Sequence, residues 1–145
     1  MRARVVAPVA YDLLDHTADL GVVVRGGDLA DLFARAGAVL ADLHYEPERV
    51  AGKETRELVL QGYEPESLLV RWLNELIVMR ETEDFLWRRL EVDLSEGLLL
   101  HTRLAGESLD PGRHRPKTAM KAATYHELRV RPTPGGFEAQ IIFDV

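Results

Sequence analysis

A chain of 145 residues suits one domain spanning 1–145, and 46% apolar with 29% charged residues supplies both a core and a solvated surface. The absence of cysteine excludes disulfides, thiolate metal sites and cysteine nucleophiles, and fits a reducing cytosol. With 18 lysines and arginines against 24 aspartates and glutamates, the formal net charge is -6, which argues against a main role in gripping RNA phosphates but leaves room for a local basic patch.

No apolar run approaches the about 20 residues that cross a bilayer. The opening Met1-Arg2-Ala3-Arg4-Val5-Val6-Ala7-Pro8 has two arginines and no adequate apolar region behind them. Neither a membrane span nor a signal peptide is therefore expected, and the expected location is cytoplasmic.

Residues 9 to 15 and 20 to 25 read as two short strands, the second rich in β-branched residues and broken by Gly26-Gly27. Asp28 is a good helix N-cap with Asp31 three residues on. Behind it Leu29, Leu32, Phe33, Ala36, Leu40 and Leu43 recur at steps of three, four or seven, which predicts an amphipathic helix over 29–43. Leu58-Val59-Leu60 predicts a strand over 55–61, ended by Gly62. Pro65 suits the first turn of a second helix, and Leu69, Trp72, Leu73, Leu76 and Ile77 extend it over 66–80. Strands follow at 85–94 and 98–105 around the turn Ser95-Glu96-Gly97, and at 121–131 and 137–144 around Pro132-Thr133-Pro134-Gly135-Gly136. This order predicts an α+β fold: a mainly antiparallel β-sheet sandwich packed with two amphipathic helices. The polar segment 106–117, with two prolines and two glycines, reads as a surface loop of the kind that carries function.

Three segments can carry chemistry. In Leu14-Asp15-His16-Thr17-Ala18-Asp19, two carboxylates and an imidazole can hold a divalent cation, or the segment is a polar turn whose side chains cap local backbone. At Ile141-Ile142-Phe143-Asp144-Val145, Asp144 and the α-carboxylate of Val145 put two negative charges side by side. A hard cation such as calcium or magnesium relieves that repulsion. The plainer reading is a frayed end with solvated charges, against which the three large apolar residues would seek burial. In 120–128, a continuous strand would put Lys121, Ala123, Tyr125 and Glu127 on one face. Lys121 there can serve a phosphate or a partner carboxylate, or it is an ordinary surface lysine.

P-loop, GxGxxG, HExxH and GxSxG patterns are missing, and the five histidines lack zinc-ligand spacing. His101 reads as a packed or half-exposed strand residue. A metal-dependent hydrolase built on Asp19, Asp144 and His16 is a competing reading, and it would need an open metal position and a general base.

Five islands in order resemble the archease family: 11–21, opening Tyr11-Asp12 and closing Leu20-Gly21; 68–76, containing Arg71-Trp72-Leu73-Asn74-Glu75; Gly106-Glu107 to Asp110 with Arg113-His114; Lys121-Ala122-Ala123-Thr124-Tyr125-His126; and Phe143-Asp144-Val145. The resemblance implies a non-enzymatic helper of an RtcB-type tRNA-splicing RNA ligase. Such a helper promotes guanylylation of the ligase and its multiple turnover. It also implies a divalent cation, calcium or magnesium, held by Asp19, Asp144 and the chain end at Val145, and a role in activation for Lys121. A chaperone-like role toward a tRNA methyltransferase is the family's other implied activity. Val22-Val23-Val24 stands where relatives have a more polar strand, and several loops are arginine-rich.

Overall fold

The computed structural model describes residues 1–15 and 19–145. Its first helix, α1 (Leu29–His44), begins as its sequence dictates: the Asp28 side chain accepts the Asp31 backbone N–H at 2.8 Å. The expected single apolar face is exceeded. Ala34, Ala36, Ala38 and Ala41 are buried as fully as Leu32, Phe33 and Leu40. The reason is position, because α1 packs on strands of two different sheets. A helix lined by alanines admits such close neighbours. At Gly37 an added Cβ would stand 2.5 Å from a Leu90 methyl.

One sheet has four antiparallel strands: β1 (Arg2–Val6), β4 (Glu54–Gln61), β5 (Phe85–Ser95) and β6 (Leu99–Ser108), in the spatial order β1-β5-β6-β4. The β1 strand was not expected from the sequence. It is short, its two arginines point to solvent, and it becomes a strand only by pairing with β5, with Val5 opposite Leu90. The β5–β6 turn falls on Glu96-Gly97-Leu98, one residue later than expected. Gly97 and Leu98 both adopt the left-handed region there.

The other sheet contains β2 (Asp12–Leu14), β3 (Leu20–Gly26), β7 (Ala122–Ala123) and β9 (Gly136–Asp144), in the order β2-β3-β9-β7. A fifth strand, β8 (Arg129–Thr133), also pairs with β9. The strand expected over 121–131 is thus two strands with a turn between them. Thr124 Oγ1 accepts the His126 N–H at 3.3 Å, and Glu127 is left-handed with φ 51. The common face expected for Lys121, Ala123, Tyr125 and Glu127 therefore ends at Ala123.

The second helix, α2 (Pro65–Glu83), opens with Pro65 and closes at Asp84 in the left-handed region. It packs against α1, β4, β5, β7 and β8, so the two sheets are joined chiefly through the helices. Trp72 and Trp87 donate their indole N–H groups to the carbonyls of Phe33 and Gly37, each at 2.9 Å. Both rings are fully buried. No helix among the described residues is long and apolar enough to cross a membrane.

Candidate functional site

The β3 strand is a run of valines buried on both faces, and β9 lies beside it with Ile141, Ile142 and Phe143 buried. That burial holds the chain end in the sheet, and Asp144 is the last residue of β9. The plainer reading of a frayed end is set aside by this packing.

The register fixes what meets there. Leu20 is opposite Phe143 across the β3–β9 ladder. Asp19 immediately precedes β3, and Asp144 follows Phe143 in β9, so both lie just beyond the Leu20–Phe143 pair that ends the ladder. On the other edge of β9, Ala122 is opposite Asp144, and the Lys121 N–H donates to the Asp144 carbonyl at 2.8 Å. Asp144 is thus paired with Ala122 and accepts from Lys121 on that edge, with Val145 following it. Asp19 is half-buried, while Asp144, Val145 and Lys121 are exposed. Among the described residues no three His, Asp or Glu side chains form a group able to hold a metal. His16, the imidazole of the competing hydrolase reading, lies outside the described residues.

The segment after Lys121 is held from two sides, by β9 and by α2. Thr124 donates both its N–H, at 3.0 Å, and its hydroxyl, at 2.9 Å, to the Ile142 carbonyl. From the opposite side, the Asn74 carboxamide of α2 engages Ala123 twice. Its Oδ1 accepts the Ala123 N–H at 2.7 Å, and its Nδ2 donates to the Ala123 carbonyl at 3.2 Å. Asn74 was visible in the sequence only as part of a helical motif. Its place in mid-helix, where Asn is a poor helix former, is the one sequence signal that could have found it.

The segment expected as a surface loop over 106–117 begins as strand, because β6 runs to Ser108, and the loop after it is tied down by a buried carboxylate near the end of β6. Glu107 Oε2 takes the Ala51 N–H at 2.8 Å and meets His114 Nε2 at 2.9 Å, while Oε1 takes the Arg113 guanidinium. His114 Nδ1 accepts the Asp110 N–H at 2.8 Å, so the network assigns its proton to Nε2, which donates to Glu107. Burial alone pushes the Glu107 carboxyl up. The Ala51 N–H, Arg113 and His114 outweigh it and hold the pKa at about 2. Farther along, Lys117 donates its N–H to the His44 carbonyl and its Nζ to the Asp42 carbonyl at 2.9 Å. These contacts lash the loop to the end of α1. His101 is exposed on β6, with Nε2 3.7 Å from Glu57.

Two antiparallel sheets bridged by two helices define a small α+β protein. The archease protein family (MTH1598/TM1083) matches residues 11–145, and the chain belongs to that family. It is similar to the protein archease of Pyrococcus abyssi, with 36% identity over 93% of this chain and 98% of the relative. The protein archease of Sulfurisphaera tokodaii is 31% identical over the same shares. The solution structure of Methanobacterium thermoautotrophicum protein 1598 superposes with a TM-score of 0.78 at 27% identity, covering 93% of this chain and 98% of that one. A Thermotoga maritima archease, described as a possible chaperone, shares the fold with a TM-score of 0.64 at 18% identity over 96% of this chain and 100% of that one.

Proposed function

We propose that this protein is a non-enzymatic activator of an RtcB-type RNA ligase. It promotes guanylylation of the ligase and multiple turnover in tRNA splicing or RNA repair, in the cytoplasm. Asp19, Asp144 and the α-carboxylate of Val145 hold a divalent cation, calcium or magnesium, and Lys121 faces the partner. The observation that supports this reading is the end of the β3–β9–β7 register: Asp19 directly precedes β3, Asp144 ends β9, and the Lys121 N–H donates to the Asp144 carbonyl. Their donors fit the ion: carboxylate oxygens suit a hard cation, and closely held like charges favour one. The bound cation would supply a fixed positive charge where the bare chain end is anionic.

Asp19→Ala, Asp144→Ala and Lys121→Ala are each expected to lower ligase guanylylation in a metal-buffered assay while thermal stability stays within about 1 kcal/mol. Variants that unfold instead would make these residues structural and end the assignment. The second reading is a chaperone-like modulator of a tRNA methyltransferase, and it draws on the description of the Thermotoga maritima relative as a possible chaperone. A stable complex with a methyltransferase and none with the ligase would favour it.

A further inference from the structure

The β7 strand is two residues long, and its outer edge has no neighbouring strand among the described residues. A strand this short holds its place only if both edges are satisfied. One edge is met by β9. On the other, Ala123 is 5% exposed, so its N–H and C=O cannot rely on water. Asn74 supplies both partners, at 2.7 and 3.2 Å. A carboxamide that accepts from one residue's N–H and donates to the same residue's C=O reproduces the exchange made by a hydrogen-bonded pair in an antiparallel ladder. Asn74 thus acts as a one-residue strand borrowed from α2.

Lys121 lies two residues before Ala123 and is exposed, and its N–H reaches the Asp144 carbonyl. The point from which its side chain leaves the backbone, next to Asp144, therefore depends on where β7 lies. We propose that Asn74 is a positioning residue: by completing the outer edge of β7 it fixes Lys121 and the Asp144–Val145 end relative to each other. This deepens the proposed function and rests on it for the importance of Lys121, but the clamp itself is a statement about this chain alone. It also gives α2 a task at the site besides packing.

Two kinds of measurement separate the clamp from the function. Amide hydrogen exchange on the intact protein reads the clamp. Asn74→Ala should speed exchange at Ala123 and Lys121 by at least about 10-fold and leave the core of α1 and β5 as slow as before. A calcium titration should then show affinity weakened by roughly 10-fold or more, the usual effect of removing support behind a ligand set. Ligase activation reads the function. Asn74→Ala should fall to the level of Lys121→Ala, and the double variant should be no worse than either, because both losses act through one side chain. Should Asn74→Ala fail to fold, Asn74→Asp, which keeps the acceptor for the Ala123 N–H, gives the same comparison. Unchanged exchange at Ala123 and Lys121 would overturn the proposal, and so would losses that multiply in the double variant. A wild-type protein that leaves the ligase unaffected would instead remove the proposed function, while the exchange data would still decide the clamp.

Discussion

His44 closes α1 with its side chain buried and its Nε2 without a hydrogen-bond partner among the described residues. Burial, and after it the charge of Arg80, pulls its pKa down to about 4 from an ordinary 6.5. The folded protein therefore keeps His44 neutral over a range in which the unfolded chain takes up a proton, so stability falls as pH drops from 6.5 toward 4. Glu107 acts in the same direction lower down. Its folded pKa of about 2 lies below the ordinary 4.5, so its contribution is complete above 4.5 and is lost as pH falls toward 2. Urea unfolding across pH should show two acid limbs, each no steeper than about 1.4 kcal/mol per pH unit. His44→Leu should flatten the upper limb and leave the lower one. An upper limb that survives in the variant would place the acid sensitivity elsewhere.

At the scale of elements, the strand β5 depends on a hydroxyl. Tyr45 accepts the Trp87 N–H at 2.7 Å and donates to the Trp87 carbonyl at 2.5 Å. The two rings meet edge to face at 5.9 Å. This happens where the register of β5 against β6 slips between Trp87 and Arg89. The hydroxyl supplies the partners that the bulge withholds. Tyr45→Phe leaves two buried backbone groups unpaired, and thermal melts should show a loss of roughly 2–4 kcal/mol. A loss below about 0.5 kcal/mol would mean that water or a shifted strand replaces it. The same contrast explains what could be read from the sequence. The cap on Asp28, both helices and the 95–99 turn depend on neighbours a few residues away, and their periodicity announces them. By contrast, β1 exists through a partner strand far along the chain, so its alternation alone could not reveal it. Asp19 and Asp144 were each legible as acidic residues at strand ends. That they lie beyond the same end of one ladder is a property of the β3–β9 register. Asn74 stayed hidden because it serves a backbone, and a backbone leaves no mark in side-chain patterns.

Across the whole molecule, charge is arranged differently on the two sheets. On the open face of the four-stranded sheet, Arg4, Glu91, Arg103 and Glu57 stand in one row across β1, β5, β6 and β4, and Arg2, Asp93 and His101 form the next. Opposite signs alternate, so this face compensates itself, and its exposed pairs add little individually. A shallow groove of about 320 Å³ runs over these residues, away from Asp19, Asp144 and Lys121. At the end of the five-stranded sheet, Asp19 precedes β3, Asp144 ends β9, and the Lys121 N–H donates to the Asp144 carbonyl. The proposed function has its seat at these strand ends and not in the groove. The most direct test is a ligation time course with the RNA ligase of the same organism, GTP, a divalent metal and excess RNA, run with and without this protein. The account predicts that product stalls near one per ligase without it and keeps accumulating with it. Equal guanylylation and equal turnover in both reactions would contradict the account.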